Sequence, residues 1–530
     1  MMSDLKKAFS DRQRVVVTIC FALFIINTQL KQTMAPDSPF FVLSFHTAEL
    51  IMSFIILSYY KFDLFRKHKA VYIVYSAMGL VAGIAYICIR FRAEYSYLYA
   101  SIAAMVAGLF MMGICTICTF IYYVVDKNKV RVNRPAFVIW FLLMLLMCLS
   151  AGSYNLYALR FSACFLMFFL APQDDKQRKS VFEGMVSGII LGFILEFGFC
   201  LLFRPYDYIR YLGNFSNPNH NCLFLDFVLA AVLGGLLLAY KNGVSKLVRA
   251  FLYVILGADL ACIYMTASRS GWLGALAVFV IYMVSYGRVI GRNVLKHIVV
   301  FALVFLIGLP VTYAAVRYMP LTNPYVKFYF YDNHNFHAVH SYNKYDSENY
   351  VRFRDMLFSP LGRLSDLLGL ERAASEEMGE TVYTIDEASF NPAEPPLLTF
   401  DEARDPVVVR YTIYKWYFDR LSLRGTPYEE QGFQLTADHW VQDTHNIFLA
   451  YGTDYGVPAM ILFIVLIIYG EVYCIREALK QKDVVYALSA MMIILPPVFG
   501  MFEYAWGYGL ISMIAMYFVM KSFIYNIKEV

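Results

Sequence analysis

Residues 220–240 read HNCLFLDFVLAAVLGGLLLAY, and residues 241–249 read KNGVSKLVR. The first stretch carries one carboxylate, Asp226, among side chains that leave no polar face. About 20 apolar residues of helix cross the hydrocarbon core of a bilayer, and a helix apolar all round is buried or membrane-embedded. The second stretch has three cations and no carboxylate. Short loops rich in Lys and Arg stay on the cytoplasmic side. The preceding stretch, RPYDYIRYLGNFSNPN (204–219), then faces outward.

Working outward with a window of about 19 residues, the same pattern recurs fourteen times. The segments are 14–31, 39–60, 70–89, 97–125, 135–152, 154–171, 181–203, 220–240, 247–266, 270–286, 298–317, 447–472, 484–502 and 505–523. Hydrophobic residues make up 59% of the chain and charged residues 16%. Soluble domains have about half and about a quarter, so a soluble enzyme with one anchor is excluded. The expected fold is an all-α polytopic membrane protein of about fourteen transmembrane helices. The connecting stretches 61–69, 126–134, 172–180, 241–249, 287–297 and 475–482 hold 4, 4, 3, 3, 3 and 3 Lys or Arg. Placing them inside puts both termini in the cytoplasm. The first apolar segment is too long for a cleavable signal peptide and lacks a small-residue cleavage site. The net charge of +5 fits basic cytoplasmic loops, with no face for nucleic acid.

The chain divides into N-terminal spans (1–150), spans carrying polar motifs (151–317), one large extracytoplasmic loop (318–443) and C-terminal spans (444–530). The loop lacks cysteine, so no disulfides staple it. Within it, PVVVRYTIYKWYFDRLSLR (406–424) has apolar residues at helical spacing and predicts a helix lying on the membrane surface. His334, His337 and His340 recur every three residues, but no cysteine or close carboxylate completes a metal site. The Cys115–Cys118 spacing within a span is expected to be two small buried thiols. Residues 447–472 carry Gly452, Gly456 and Pro458, which predict a short entry helix, a break and then the span.

Three arginines and a histidine fall on the expected outer face. Arg210 precedes GNFSNPNHN, Arg269 lies in TASRSGW, Arg410 lies in the loop helix, and His445-Asn446 opens the segment after the loop. Guanidinium forks grip phosphate in a bidentate way. Each arginine is also open to snorkelling at a headgroup, and for Arg269 alone the two readings balance. Asn217 or Asn219 can contact substrate; as plain structure, Asn219 or His220 caps the eighth span. Arg160 is a charge inside the sixth span, and Asp226, Asp259, Glu183 and Glu196 are its possible partners. His445 serves either as a base near neutral pH or as a local cap.

Taken in order, GNFSNPNHN, TASRSGWLGAL, VVRYTIYKW in a long outer loop and DTHNIFLAYGTDYGVPAMI resemble the O-antigen ligase and polymerase family of bacterial membrane glycosyltransferases. The resemblance covers about residues 180–475. It implies a GT-C-like architecture in the bacterial cytoplasmic membrane, with the active site facing outside. It further implies transfer of a glycan from an undecaprenyl-diphosphate donor to a glycan or lipid-glycan acceptor, inverting and with no metal or other cofactor. By motif, Arg210 and Arg269 would hold the diphosphate and His445 would act as base at the acceptor hydroxyl. Arg410, Asn217, Asn219, Asn446 and Arg160 would contact substrate, and Asp454 would position its helix. The competing expectation is a polytopic transporter or flippase of lipid-linked saccharides, for which Arg160, Asp226 and Asp259 supply polar residues at depth. Oligomeric state is left open.

Overall fold

The computed structural model describes residues 11–33, 39–90, 98–152, 155–204, 206, 210–215, 217–323, 353–354, 356–358, 397–399, 406–427, 430–436, 439–442, 444–501 and 511–525. His334, His337 and His340 lie outside them. The chain forms α1 (Arg12–Thr33), α2 (Pro39–Ser58), α3 (Phe62–Lys67), α4 (Lys69–Arg90), α5 (Leu98–Phe120), α6 (Arg134–Cys148) and α7 (Asn155–Leu170). Next come α8 (Asp175–Phe203), α9 (Pro218–Lys241), α10 (Lys246–Met265), α11 (Arg269–Arg288) and α12 (Val294–Tyr318). After the loop helix α13 (Pro406–Asp419) and the strands β1 (Phe433–Thr436) and β2 (His439–Val441), the chain ends in α14 (Ile447–Tyr455), α15 (Val457–Gln481), α16 (Val484–Ile493), α17 (Leu495–Gly500) and α18 (Ile511–Ile524). A helix lies over each of the fourteen apolar segments. Among the described residues, eight helices are long and apolar enough to cross a membrane.

Burial follows hydropathy. Helix α9, apolar on every side, is buried without interruption from Asn221 to Leu237 and forms the centre of the bundle. Helices α8, α10, α11, α16 and α18 pack around it. By contrast, Val71, Ile73, Val74, Met78, Leu80 and Val81 of α4 are all exposed, as expected of a helix facing lipid. Helices α1 and α8 approach closely along Gly184, Gly188 and Gly192. A Cβ at Gly188 would lie 2.6 Å from the Thr18 carbonyl oxygen, and one at Gly184 would lie 2.7 Å from that of Arg14. Small residues four apart permit such backbone contact between membrane helices.

Several charges within the bundle are paired or caged. Arg160 binds Glu49 of α2. This corrects the expectation that its partner is Asp226, Asp259, Glu183 or Glu196; Glu183 instead pairs with Arg14 at 2.7 Å. The buried Lys521 donates to the Phe168 and Ala171 carbonyls and lies 3.8 Å from the Tyr59 ring centroid. Cys115 and Cys118 are buried free thiols.

The outer loop has a small core of its own. Ile413, Trp416 and Tyr417 of α13 pack with Phe433, Leu435 and Val441 of an antiparallel hairpin, and with Leu398. The sequence pattern shows the helix but not the hairpin, whose strands are only four and three residues long.

Candidate functional site

The first cluster is built on two helix N-termini. Pro218 opens α9, where its missing N–H costs nothing. Asn217 is therefore the cap, accepting from the Asn219 N–H at 2.8 Å. This corrects the assignment of the cap to Asn219 or His220. The Asn219 side chain instead accepts from the Arg210 guanidinium, whose Nε donates to the Thr266 carbonyl at 2.9 Å. One residue on, the Tyr211 N–H donates to the Met265 carbonyl at 2.8 Å. These bonds tie the loop of Arg210 to the turn in which Arg269 begins α11.

Ser268 caps α11 by accepting from the Gly271 N–H at 3.3 Å. A Cβ at Gly271 would lie 2.0 Å from Cys222 Sγ, so glycine is what lets the first turns of α9 and α11 touch. Each N-terminus carries about half a positive charge. Arg269 is exposed, and no hydrogen bond or ion pair holds its side chain among the described residues. The cluster thus combines an anchored guanidinium, an uncommitted one and two helix N-termini, a set suited to an anion.

Beneath the loop lies Glu196 of α8, which is buried. Its Oε1 accepts from the Asn214 N–H (3.3 Å) and from Cys200 Sγ (3.1 Å), while Arg204 Nε donates to the Gly213 carbonyl at 2.9 Å. The sequence offered Glu196 only as a partner for Arg160. Its position one helical turn before Cys200 near the end of a span was the available signal.

The second cluster is the entry to α14. Asn446 caps this helix, its side chain accepting from the Phe448 and Leu449 N–H groups at 2.9 and 3.1 Å. Its Nδ2 donates to the Met501 carbonyl at 3.1 Å. His445 has a left-handed backbone, φ 48°, a conformation unusual for a residue with a side chain. Tyr414 of α13 brings its hydroxyl within 3.2 Å of the His445 carbonyl and 3.0 Å of that of Met501. Arg410, half-buried, lies one turn before Tyr414 and so shares its side of α13. Tyr414 lies in VVRYTIYKW, where its helical spacing from Arg410 is the signal the sequence holds for it.

The break after α14 falls at Gly456, φ 94°. A Cβ there would lie 2.3 Å from the Leu423 carbonyl oxygen. The Thr426 N–H donates to the Thr453 carbonyl (2.7 Å), Val457 N–H to that of Ser422 (2.9 Å) and Ala151 N–H to that of Arg424 (2.7 Å). Asp454, buried, accepts from Gln431 Nε2 at 3.0 Å. The loop end, the break and the α6–α7 turn are thereby fastened together. Gly452 is not part of the break; it lies inside α14, against the Leu421 side chain.

The helices that carry the two clusters, α9 and α11 for the first and α14 for the second, all contact α17. Leu495 meets α11 beside Gly274, and Gly500 meets α14 at Ile447. Gly274 is five positions beyond Arg269 and Gly500 five positions beyond Leu495, each about 7.5 Å of helix. Arg160 joins neither cluster through its Glu49 pair. Compared with known protein families, curated proteins and solved structures, the chain matches none.

Proposed function

We propose that this protein is a membrane glycosyltransferase that moves a glycan from an undecaprenyl-diphosphate donor to a glycan or lipid-glycan acceptor. The reading carries with it fourteen spans, both termini in the cytoplasm, a GT-C-like architecture and a site opening outside a bacterial cytoplasmic membrane. The observation that supports it best is the exposed, uncommitted Arg269, whose turn is tied to the anchored Arg210, on a helix that contacts α17 as the helix after His445 does.

In the reaction the anomeric carbon–oxygen bond to the diphosphate breaks and a bond to the acceptor oxygen forms. The acceptor proton passes to the His445 imidazole. Charge developing on the diphosphate is held by Arg269 and Arg210, cations that take the part a divalent ion plays elsewhere. Arg410 extends this field from the loop. Attack from the face opposite the diphosphate inverts the anomeric centre. Asn217 and Asn446, occupied as caps, act by holding Asn219 and His445 in place.

The test is transfer from an undecaprenyl-diphosphate oligosaccharide by purified protein in chelator, with products sized on a gel. Wild type is expected to transfer, and His445→Ala to lose on the order of 10²- to 10⁴-fold. A ladder of products identifies a polymerase, a single band a ligase. Equal transfer by both proteins removes His445 from catalysis.

One observation favours a second reading, the transporter. Asp226 and Asp259 are fully buried on neighbouring helices, with all four carboxylate oxygens unpartnered among the described residues. Ionisable groups at membrane depth mark ion and substrate pathways. Flipping or uptake in liposomes, abolished by Asp226→Asn and unaccompanied by transfer, would install that reading.

A further inference from the structure

The end of α9, the start of α10 and the turn between α11 and α12 meet around one ring, that of Tyr240. The Arg249 guanidinium carbon lies 5.1 Å from the ring centroid, and that of Arg292 lies 4.9 Å away. The ring is held firmly. Its hydroxyl is 2.8 Å from that of Tyr253, which is 3.4 Å from His297 Nδ1, and His297 Nε2 is 2.7 Å from the Tyr282 hydroxyl. Tyr286 stacks on His297 at 3.9 Å.

Each guanidinium gains from the face of the ring, yet the two repel one another. Among the described residues no carboxylate pairs with either, and Arg249 Nε is buried without a hydrogen-bond partner. Residues 241–249 and 287–297 each hold three Lys or Arg and no Asp or Glu. A planar donor fork with no acid nearby fits a phosphate. The adjoining surface is apolar and exposed: Leu247, Phe251 and Val254 on α10, and Leu295 and Val299 on α12. These two helices pack at backbone contact, a Cβ at Gly308 falling 2.7 Å from the Gly257 carbonyl oxygen. Phosphate-binding groups above an apolar track suit a molecule with a charged head and acyl chains.

We infer that Arg249 and Arg292, gathered at Tyr240, form a headgroup site for an anionic phospholipid whose chains lie along α10 and α12. The site is separate from the Arg269 cluster and does not depend on glycan transfer.

Native mass spectrometry of the full-length protein in mild detergent tests this. The probes are phosphatidylglycerol, phosphatidylcholine with the same chains, and inorganic phosphate. Phosphatidylglycerol adducts are expected to survive activation that strips phosphatidylcholine. Arg249→Gln with Arg292→Gln should weaken phosphatidylglycerol binding roughly tenfold and spare phosphatidylcholine. Arg288→Gln with Lys296→Gln removes the same charge from the same surface and should leave most of the binding. Should the first pair aggregate, Arg249→Lys with Arg292→Lys keeps both charges and should still lose several-fold, because the fork is gone. Equal retention of the two lipids, or equal losses in the two Gln pairs, would show diffuse attraction and overturn the site. Displacement of phosphatidylglycerol by millimolar phosphate would overturn the lipid assignment.

Discussion

Arg269 and Arg210 differ in how much of their binding capacity is already used. Arg210 is held by Thr266 and Asn219, whereas Arg269 is exposed on the first turn of α11. Arg269→Gln should therefore leave thermal stability within about 0.5 kcal/mol, while transfer falls on the order of 10²-fold or more. A melting curve beside a transfer assay checks both, and a large stability loss would mean that Arg269 is structural. Asn446→Ala is expected to cost about 1 kcal/mol through the lost cap. Asn446→Asp keeps the cap acceptor but loses the Nδ2 donor to the Met501 carbonyl, and should restore only part of it in the same melt. At the opposite end of the bundle, Lys67 donates to Asp126 and holds its carboxyl below the usual carboxylate range, with His68 3.6 Å away. The folded value is the depressed one, so this contact helps folding above the ordinary carboxylate range. Its contribution disappears as pH falls through the lowered folded value. Melting midpoints followed from pH 7 towards pH 3 should fall less steeply for Lys67→Gln. Exposed pairs contribute little, so the difference will be small. At this scale the sequence was a good guide to which side chains lie near helix ends, because polar residues there border long apolar runs, but not to the caps themselves, which are Asn217, Ser268 and Asn446. It was a poor guide to partners: Arg160 and Glu49 are 111 positions apart and meet only through tertiary packing.

The α14–α15 break shows how an element is set by its surroundings. Gly452, Gly456 and Pro458 predict a short entry helix and a break before the span; the structure has the break at Gly456, with Gly452 inside α14. What they do not predict is the clamp, three backbone bonds involving residues 151, 422, 424, 426, 453 and 457. Nothing in a local window reports on a carbonyl supplied from thirty or three hundred residues away. The clamp makes Gly456 costly to replace on two counts, a left-handed φ and a Cβ 2.3 Å from a backbone oxygen. Gly456→Ala should cost about 2 kcal/mol or more, since backbone cannot yield as a side-chain tip can. Gly243 is the control: its φ is 63° but nothing lies within 4 Å of a Cβ there. Gly243→Ala should cost about 1 kcal/mol from conformation alone. Equal melting shifts for the two variants would mean that the clamp is not rigid. The loop hairpin escaped the sequence for a related reason. Its strands are too short to show alternation, and β1 packs on α13 through Trp416 stacked on Phe433 at 4.5 Å, a contact between distant positions.

At the scale of the whole molecule, hydropathy was the strongest guide, because backbone groups in lipid must be satisfied internally and a continuous apolar run of about 20 residues does so as a helix. It also ranks the helices: α9 is central because it is apolar all round, and α4 peripheral because its apolar side chains have no partner but lipid. The sidedness of the molecule rests on a different physical argument, the distribution of Lys and Arg between alternate loops. The proposed chemistry depends on it, since a lipid-diphosphate donor must reach Arg269 from the face that carries the long loop. Two exposed positions separate the faces. Leu423 lies at the end of the loop fastened to α14, and Val130 lies in the basic 126–134 connection. In a Cys88→Ser background, which removes an exposed native thiol, a membrane-impermeant maleimide should label Leu423→Cys in intact cells. Val130→Cys should react only after permeabilisation. The reverse pattern would turn both clusters to the cytoplasm, where an outward-facing glycan donor could not meet His445, and the transferase reading would fail even with its arginines in place.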